Sequence, residues 1–337
     1  MALLVSQREV GRLVNGPNRS LRFGTVFASR YVLGECLYGP TRDEPALSEV
    51  YVAQDTQANN GAVALKVSIL PSGYCISPYD DPFWLDFNNE ARMLKRSLHP
   101  ALPKFISAGC VNDLNESNYL YPTGKASRSS RHYIAMERLV GIELDSLIKR
   151  SLPFWQALDI MLQLLNCSGA EHEAGFVDLD IKAENVLLQS DGIVRRYDLA
   201  FASELENGYL FLHRFKGTPE YAAPEQRAAS HVQPNADIYA LGIIFYEMLV
   251  GRHTPISRPL PSVEAEEITG LSKTQKRAQT FGSILKEINR IIALMTEESP
   301  KDRYQSTKCV MQDLKNEAFF RLCHEESWYT RLLKWFL

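Results

Sequence analysis

No apolar run in this 337-residue chain approaches the roughly 20 residues a membrane-crossing helix needs, so no span is expected. The N-terminal stretch "MALLVSQREVGRLVNG" has an apolar patch that charge interrupts too soon for a secretory signal. Six cysteines, Cys36, Cys75, Cys110, Cys167, Cys309 and Cys323, show no Cys-x-x-Cys and no short Cys/His spacing. That pattern indicates neither a zinc site nor a disulfide framework, and the expectation is buried thiols in a reducing compartment. Charge of one sign is also lacking: 37 basic against 40 acidic residues gives a formal net charge of −3, with Lys and Arg spread along the chain. Neither nucleic acid nor an anionic membrane is therefore an expected partner. Internal repeats and low-complexity tracts are missing too. These absences together predict a cytoplasmic protein.

What is present is enough apolar sequence, 45%, for a real interior, in a chain of a length that suits one bilobal domain or two modest ones. "EVYVAQD" and "GAVALKVSIL" alternate in hydropathy and flank the turn signal Asn60-Gly61, which predicts a β-hairpin. A helix is predicted over "DPFWLDFNNEARMLKRSL", with Phe83, Phe87, Ala91 and Leu94 at helical spacing. Further strands fit "KFISAGC" and "HYIAMERLV", separated by the polar stretch "NDLNESNYLYPTGKASRSS", which reads as a surface loop. Beyond about residue 137 helical patterns take over in "LDSLIKR", "FWQALDIMLQLLNCSGAEHEAG", "ADIYALGIIFYEMLVG", "TFGSILKEINRIIALMTE" and "KCVMQDLKNEAFFRLC". A strand-rich half followed by a helical half predicts the α+β class, with a cleft between lobes.

Several residues have the chemistry of phosphoryl transfer. In the strand "VALKV", Ala64 and Lys66 share one face, which would place an ammonium near a phosphate and leave room beside the small alanine for a flat ring. Taken alone, Lys66 reads sooner as an exposed strand lysine and Glu90, in the following helix, as a solvated charge. "DLDIKAEN" says more: Asp180 suits acceptance of a hydroxyl proton, Lys182 neutralises charge, and Asn185 offers a neutral oxygen to a hard cation such as Mg²⁺. Asp198 adds a carboxylate to the same task.

These residues, in this order, resemble the eukaryotic-like (Hanks-type) protein kinases, especially their bacterial serine/threonine branch, from about Arg30 to Leu314. The resemblance implies a bilobal kinase-like fold, an N-terminal extension over 1–29, a kinase domain over 30–323 with lobes 30–137 and 138–323, and an aromatic tail over 324–337. It implies ATP and Mg²⁺ as cofactors and a protein hydroxyl as acceptor. Lys66 would hold the α and β phosphates with Glu90 as its partner. Gly39 would open the glycine-rich loop, Ala64 and Leu187 would lie against adenine, Glu137 and Leu139 would offer it backbone groups beside the gatekeeper Met136, and Glu143 would lie near the ribose. Asp180 corresponds to the catalytic base, Lys182 to the lysine beside the γ phosphate, and Asn185 and Asp198 to the metal ligands. Thr218 would lie near the base, Glu225 would pair with Arg303, and Asp237 would support the catalytic loop.

The chain departs from the family at defined places. The HRD triplet is Asp178-Leu179-Asp180, and leucine cannot receive an activation-loop phosphate as arginine does. Between Glu204 and Gly217 there is no Ser or Thr, only Tyr209, which predicts activity without loop phosphorylation. Asp178 either raises the pKa of Asp180 by like-charge repulsion or is satisfied by backbone N–H groups. The DFG triplet is Asp198-Leu199-Ala200, and "GPTRDEPALSEVY" is longer than the usual glycine-rich loop, with Ser48 where its third glycine would stand. Two other readings follow from these changes: a pseudokinase that binds nucleotide or acts as a scaffold, and a nucleotidyl transferase. The C-terminal Trp328, Leu332, Trp335 and Phe336 read as packing on the helical lobe, or alternatively as a partner or membrane-surface contact.

Overall fold

The computed structural model describes residues 21, 23–39, 48–58, 61–68, 82–111, 131–150, 152–254, 259–269 and 279–315. In chain order the elements are β1 (Val26–Phe27), β2 (Tyr31–Tyr38), β3 (Ser48–Asp55), β4 (Gly61–Ser68), α1 (Pro82–Lys95), β5 (Phe105–Val111), β6 (Arg131–Glu137) and β7 (Ile142–Glu143). They continue with α2 (Leu144–Ile148), α3 (Phe154–Glu173), β8 (Phe176–Val177), β9 (Val186–Leu188), β10 (Val194–Arg196), β11 (Ser203–Glu204) and β12 (Leu210–Phe211). The last are α4 (Pro224–Arg227), β13 (His231–Val232), α5 (Asn235–Val250), α6 (Gln279–Met295) and α7 (Thr307–Leu314). The chain forms two compact units, one containing residues up to 142 with 187–200, the other 143–186 with 201 onward. The first is strand-rich and the second helical, which is the α+β class expected.

The first unit is built on a six-stranded sheet in the order β1-β2-β3-β4-β6-β5. β3 and β4 pair without a slip from Ser48↔Ser68 to Asp55↔Gly61, the predicted hairpin. Because side chains alternate along a strand, Val63, Leu65 and Val67 enter a core with Tyr31, Leu33, Tyr51 and Ala135, while Ala64 and Lys66 occupy the other face. At the end of β3 the Arg30 guanidinium makes a forked pair with Asp55, Nε to Oδ1 at 2.7 Å and Nη2 to Oδ2 at 2.6 Å. α1 falls where its apolar spacing predicts, and in its described part it buries Glu90, Met93 and Leu94, while Phe87 and Ala91 are only partly covered. The stripe is thus rotated from the predicted one, and a carboxylate lies within it.

In the second unit α3 and α5 form the interior. Every residue of α5 is buried, as its near-continuous apolar sequence requires. Asp237 lies in its first turn, where the helix dipole favours negative charge. The segment after Ala200 has local order that the sequence reading did not assign. β11 pairs with β8, and a two-residue turn at Asn207 (φ 53°) and Gly208 (φ 86°) closes Glu206 onto Tyr209 by a pair of backbone hydrogen bonds of 2.9 and 3.2 Å. Two successive left-handed residues are the signature of the tightest hairpin turn, and Asn-Gly is its preferred sequence. β12 then pairs with β13, and Leu212 is buried behind it.

Several expectations fall outside the described residues: Asn60, the loop over 112–130, most of the lengthened glycine-rich loop, the extension before residue 21, and the aromatic tail. The expectation of buried thiols holds for Cys167 but not for Cys309, which is exposed on the outer side of α7. Among the described residues no helix is long and apolar enough to cross a membrane.

Candidate functional site

Lys66 is not the exposed strand lysine of its plain reading, nor is Glu90 a solvated charge: they are 5% and 1% exposed. Lys66 Nζ donates to Glu90 Oε2 and to Asp198 Oδ1, both at 2.8 Å. Burial works against the lysine charge, but the Asp198 carboxylate and then Glu90 outweigh it and raise the Lys66 pKa. The ammonium is therefore a fixed cation. For Glu90 burial is the larger influence and pushes its carboxyl up, against the opposing pull of Lys66. Asp198 is the more open partner, its side chain 41% exposed, which leaves its carboxylate oxygens accessible to a further cation.

On the same face of the sheet Ala64 stands between Val52 of β3 and Met136 of β6, and all three are small or apolar. Leu139 and Leu187 come together with Leu37 and Tyr197 in an apolar cluster, against which Val52 packs. Six of the seven predicted nucleotide residues, Gly39, Ala64, Lys66, Glu137, Leu139 and Leu187, thus belong to one unit, and Glu143 to the other. Leu37 and Val52 are members the sequence reading missed; the signal was the alternation of "VLGECLYG", which places Leu37 two residues before Gly39. Gly39 itself directly follows β2.

Glu137 uses more than its backbone. Its carboxylate receives Arg195 as a fork, Nη2 to Oε2 at 2.7 Å and Nη1 to Oε1 at 3.2 Å, and accepts the Lys104 N–H at 3.1 Å. Burial is the largest single influence and pushes this carboxyl up, but the hydrogen bonds from Arg195 and Lys104, with the charges of both residues, together outweigh it and hold it below the usual range. Arg195 also donates to Leu102 O at 3.3 Å, so one guanidinium ties β10 to the end of β6 and to the turn before β5. Arg195 lies three residues before Asp198.

The second unit carries Asp180, Lys182 and Asn185, the residues expected as base, γ-phosphate lysine and metal ligand. Asp180, 5% exposed, accepts the Thr218 hydroxyl at Oδ1 (2.6 Å) and lies 3.1 Å from Lys182 Nζ at Oδ2. Lys182 also donates to Thr218 Oγ1 at 3.0 Å, so the three polar groups close on one another. Asn185 Nδ2 donates to Asp180 O at 3.2 Å, which turns its amide oxygen to other use. Of the two readings of Asp178, the geometry favours the backbone role: its Oδ1 accepts the Asp180 N–H at 3.2 Å. Beneath it, Asp237 accepts the N–H groups of Asp178 (Oδ2) and Leu179 (Oδ1), each at 3.0 Å, and His172 Nε2 donates to Oδ2 at 2.8 Å. Arg303 meets Glu225 through a fork of 2.8 and 3.2 Å and stacks over the Tyr239 ring at 5.0 Å. Glu143 is half-buried immediately before α2.

Positive φ falls on Leu179 (68°) and Asp198 (58°), and not on Ala200. The alanine that replaces the last residue of DFG therefore carries no backbone strain of this kind. Among the described residues no group of three or more His, Cys, Asp or Glu is arranged to hold a metal.

A family model of the protein kinase domain matches residues 47–320. A probable serine/threonine-protein kinase of Clostridium perfringens is 24% identical over 300 residues, 87% of this chain and 39% of the relative. The serine/threonine-protein kinase PrkC of Bacillus subtilis is 27% identical over 272 residues, 80% of this chain and 38% of the relative. The serine/threonine-protein kinase PknB of Mycobacterium leprae is 25% identical over 299 residues, 85% and 43% respectively. The chain spans about two fifths of the length of these curated relatives.

Proposed function

The chain belongs to the protein kinase domain family, and on that premise we propose that it is a cytoplasmic, ATP- and Mg²⁺-dependent serine/threonine protein kinase that acts without activation-loop phosphorylation. The proposed domain, 30–323, encloses the matched residues, with 1–29 and 324–337 as flanking segments. The observation that carries the reading is the Asp180, Thr218 and Lys182 triad: a buried carboxylate oriented by a hydroxyl and an ammonium, with a second metal-type ligand, Asn185, five residues on.

ATP supplies an activated γ-phosphoryl group, and Mg²⁺ offsets its charge. Lys66, held protonated by Glu90, is assigned to the α and β phosphates, and the apolar face of Ala64, Leu139, Leu187, Leu37 and Val52 to the adenine ring. Glu137 and Leu139 are assigned backbone contacts to that ring, with Glu143 near the ribose and Gly39 at the start of the phosphate loop. Asp198 offers a carboxylate oxygen and Asn185 an amide oxygen to Mg²⁺. In the transfer, the acceptor hydroxyl oxygen bonds to the γ phosphorus, the bond to the bridging oxygen of ADP breaks, and the hydroxyl proton passes to Asp180. Lys182 neutralises charge on the group in flight, so catalysis comes from positioning and electrostatics.

The pseudokinase reading explains the altered HRD and the longer glycine-rich loop, but it gives no reason to retain Lys66, Asp180, Asn185 and Asp198 together. Purified protein incubated with Mg²⁺ and ATP labelled separately on the α and γ phosphates discriminates between the readings. The kinase reading expects γ label on protein, lost in both Asp180→Asn and Asp198→Asn. Label from the α phosphate would instead identify nucleotidyl transfer, and nucleotide binding without transfer a pseudokinase.

A further inference from the structure

Leu179 has a positive φ of 68°, a strained conformation for a leucine, which persists only where the surroundings over-determine it. Both of its peptide groups are held. Its N–H donates to Asp237 at 3.0 Å, and its carbonyl accepts Gln226 Nε2 at 2.6 Å. The same Gln226 nitrogen donates to Lys216 O at 2.7 Å, and Gln226 Oε1 accepts the Ala223 N–H at 3.3 Å. The residue is 2% exposed. A carboxamide has two N–H donors, and here both are spent on carbonyls of two different segments. One segment leads in the next residue to Asp180, the other in two residues to Thr218. Between them Gly217, at φ 104°, presses so closely that a Cβ there would overlap both Leu179 O and Gln226 Nε2. The two backbones are in direct apposition, and one buried side chain joins them.

We propose that Gln226 is a positioning residue: its amide brackets the catalytic loop to the activation segment and so fixes Asp180 against Thr218 without charge and without phosphate. The inference rests on the phosphoryl-transfer reading and adds its regulation. In a phosphate-switched relative an arginine at the position of Leu179 reaches out to a modified loop. In this chain the tie runs through the Leu179 carbonyl to a neutral amide that is always present. The Asn207-Gly208 turn and the β12–β13 pairing order the segment upstream of the bracket, again by sequence alone.

Two substitutions test the bracket, with myelin basic protein as acceptor of γ label. Gln226→Met keeps the volume and removes both donors. It is expected to lower kcat by about 10²-fold while KM for ATP stays within about twofold of wild type, since the interaction acts on the acceptor side. Gln226→Glu turns an ionised carboxylate toward two carbonyls, and regains one donor only on protonation. Its kcat should be as low as that of Gln226→Met at pH 8 and recover about tenfold on going to about pH 6, while Gln226→Met follows the wild-type profile. Amide exchange gives a readout independent of turnover: Gln226→Met should raise exchange at residues 178–180 and 216–218 together and leave residues 62–67 unchanged. Transfer by Gln226→Met within about twofold of wild type, or a Gln226→Glu profile parallel to wild type, overturns the bracket. If the wild type transfers no label, the kinase reading falls, and unchanged exchange at 178–180 and 216–218 then overturns the bracket as well.

Discussion

The Thr218 hydroxyl donates to Asp180 Oδ1 at 2.6 Å, a short hydrogen bond to the carboxyl group proposed as the base. It therefore holds the base in one orientation while Lys182 approaches the other oxygen. Thr218→Ala should lower kcat by roughly 10- to 100-fold, the usual cost of losing a hydrogen bond to a charged group. Thr218→Ser keeps the hydroxyl and should retain most of the activity; steady-state transfer by the two variants is the check.

Lys66 and Glu90 form a buried pair, and removing Glu90 leaves the buried ammonium with Asp198 as its remaining carboxylate partner. Glu90→Ala should cost about 1–3 kcal/mol of stability, read from denaturant unfolding, and raise KM for ATP. Replacing both residues together, Lys66→Met with Glu90→Leu, should recover much of that stability while abolishing transfer. A double variant as unstable as Glu90→Ala would show that the pair contributes through something other than charge compensation.

Lys66 and Asp180 were legible in the sequence because each sits in a short segment whose chemistry is local: an alternating strand in one case, acid-x-Lys-x-x-Asn in the other. The β3–β4 hairpin and six helices, α1, α2, α3, α5, α6 and α7, were legible from periodicity. Glu90 was harder, since on α1 it interrupts an apolar stripe and only the pairing with Lys66, 24 residues back, explains it. Gln226 was not legible at all, and Leu37 only through the alternation of its strand. A glutamine two residues after a proline reads as an ordinary helix start, and its proposed role comes from two carbonyls 47 and 10 residues away that only folding brings to it. The Asn207-Gly208 turn is carried by a strong local signal, since Asn-Gly is the preferred pair for two successive left-handed residues.

Arg195 grips Glu137 as a fork, and on the reading that Glu137 offers its backbone to adenine this pair sets the position of the nucleotide. Arg195→Met should raise KM for ATP by about tenfold with little change in kcat, the mark of lost uniform binding. Arg195→Lys keeps the charge but loses the fork and should fall between the two. A fall in kcat with KM unchanged would remove Arg195 from the nucleotide side.

Arg30 governs an acid-stability effect with a definite sign. Its hydrogen bonds are the largest influence on Asp55 and hold that carboxyl below its ordinary value. A depressed folded-state pKa contributes stability above the unfolded value, about 3.9, which is lost as pH falls through the lower folded value. Wild type should thus be more stable than Arg30→Met at neutral pH, with the difference shrinking below about pH 4. Urea unfolding midpoints at a series of pH values test this; a difference that stays constant on acidification excludes the pair as its source.

The central claim is that Asp180 serves phosphoryl transfer in a site ordered without phosphate. Its most direct measurement is the initial rate of γ-label transfer by protein that a phosphatase has stripped and that mass measurement shows to be unmodified. The account predicts a rate within about twofold of untreated protein, no lag, and loss of transfer in Asp180→Asn. A stripped protein that is inactive until Tyr209 or another loop residue regains phosphate, or an Asp180→Asn variant that transfers normally, would contradict it.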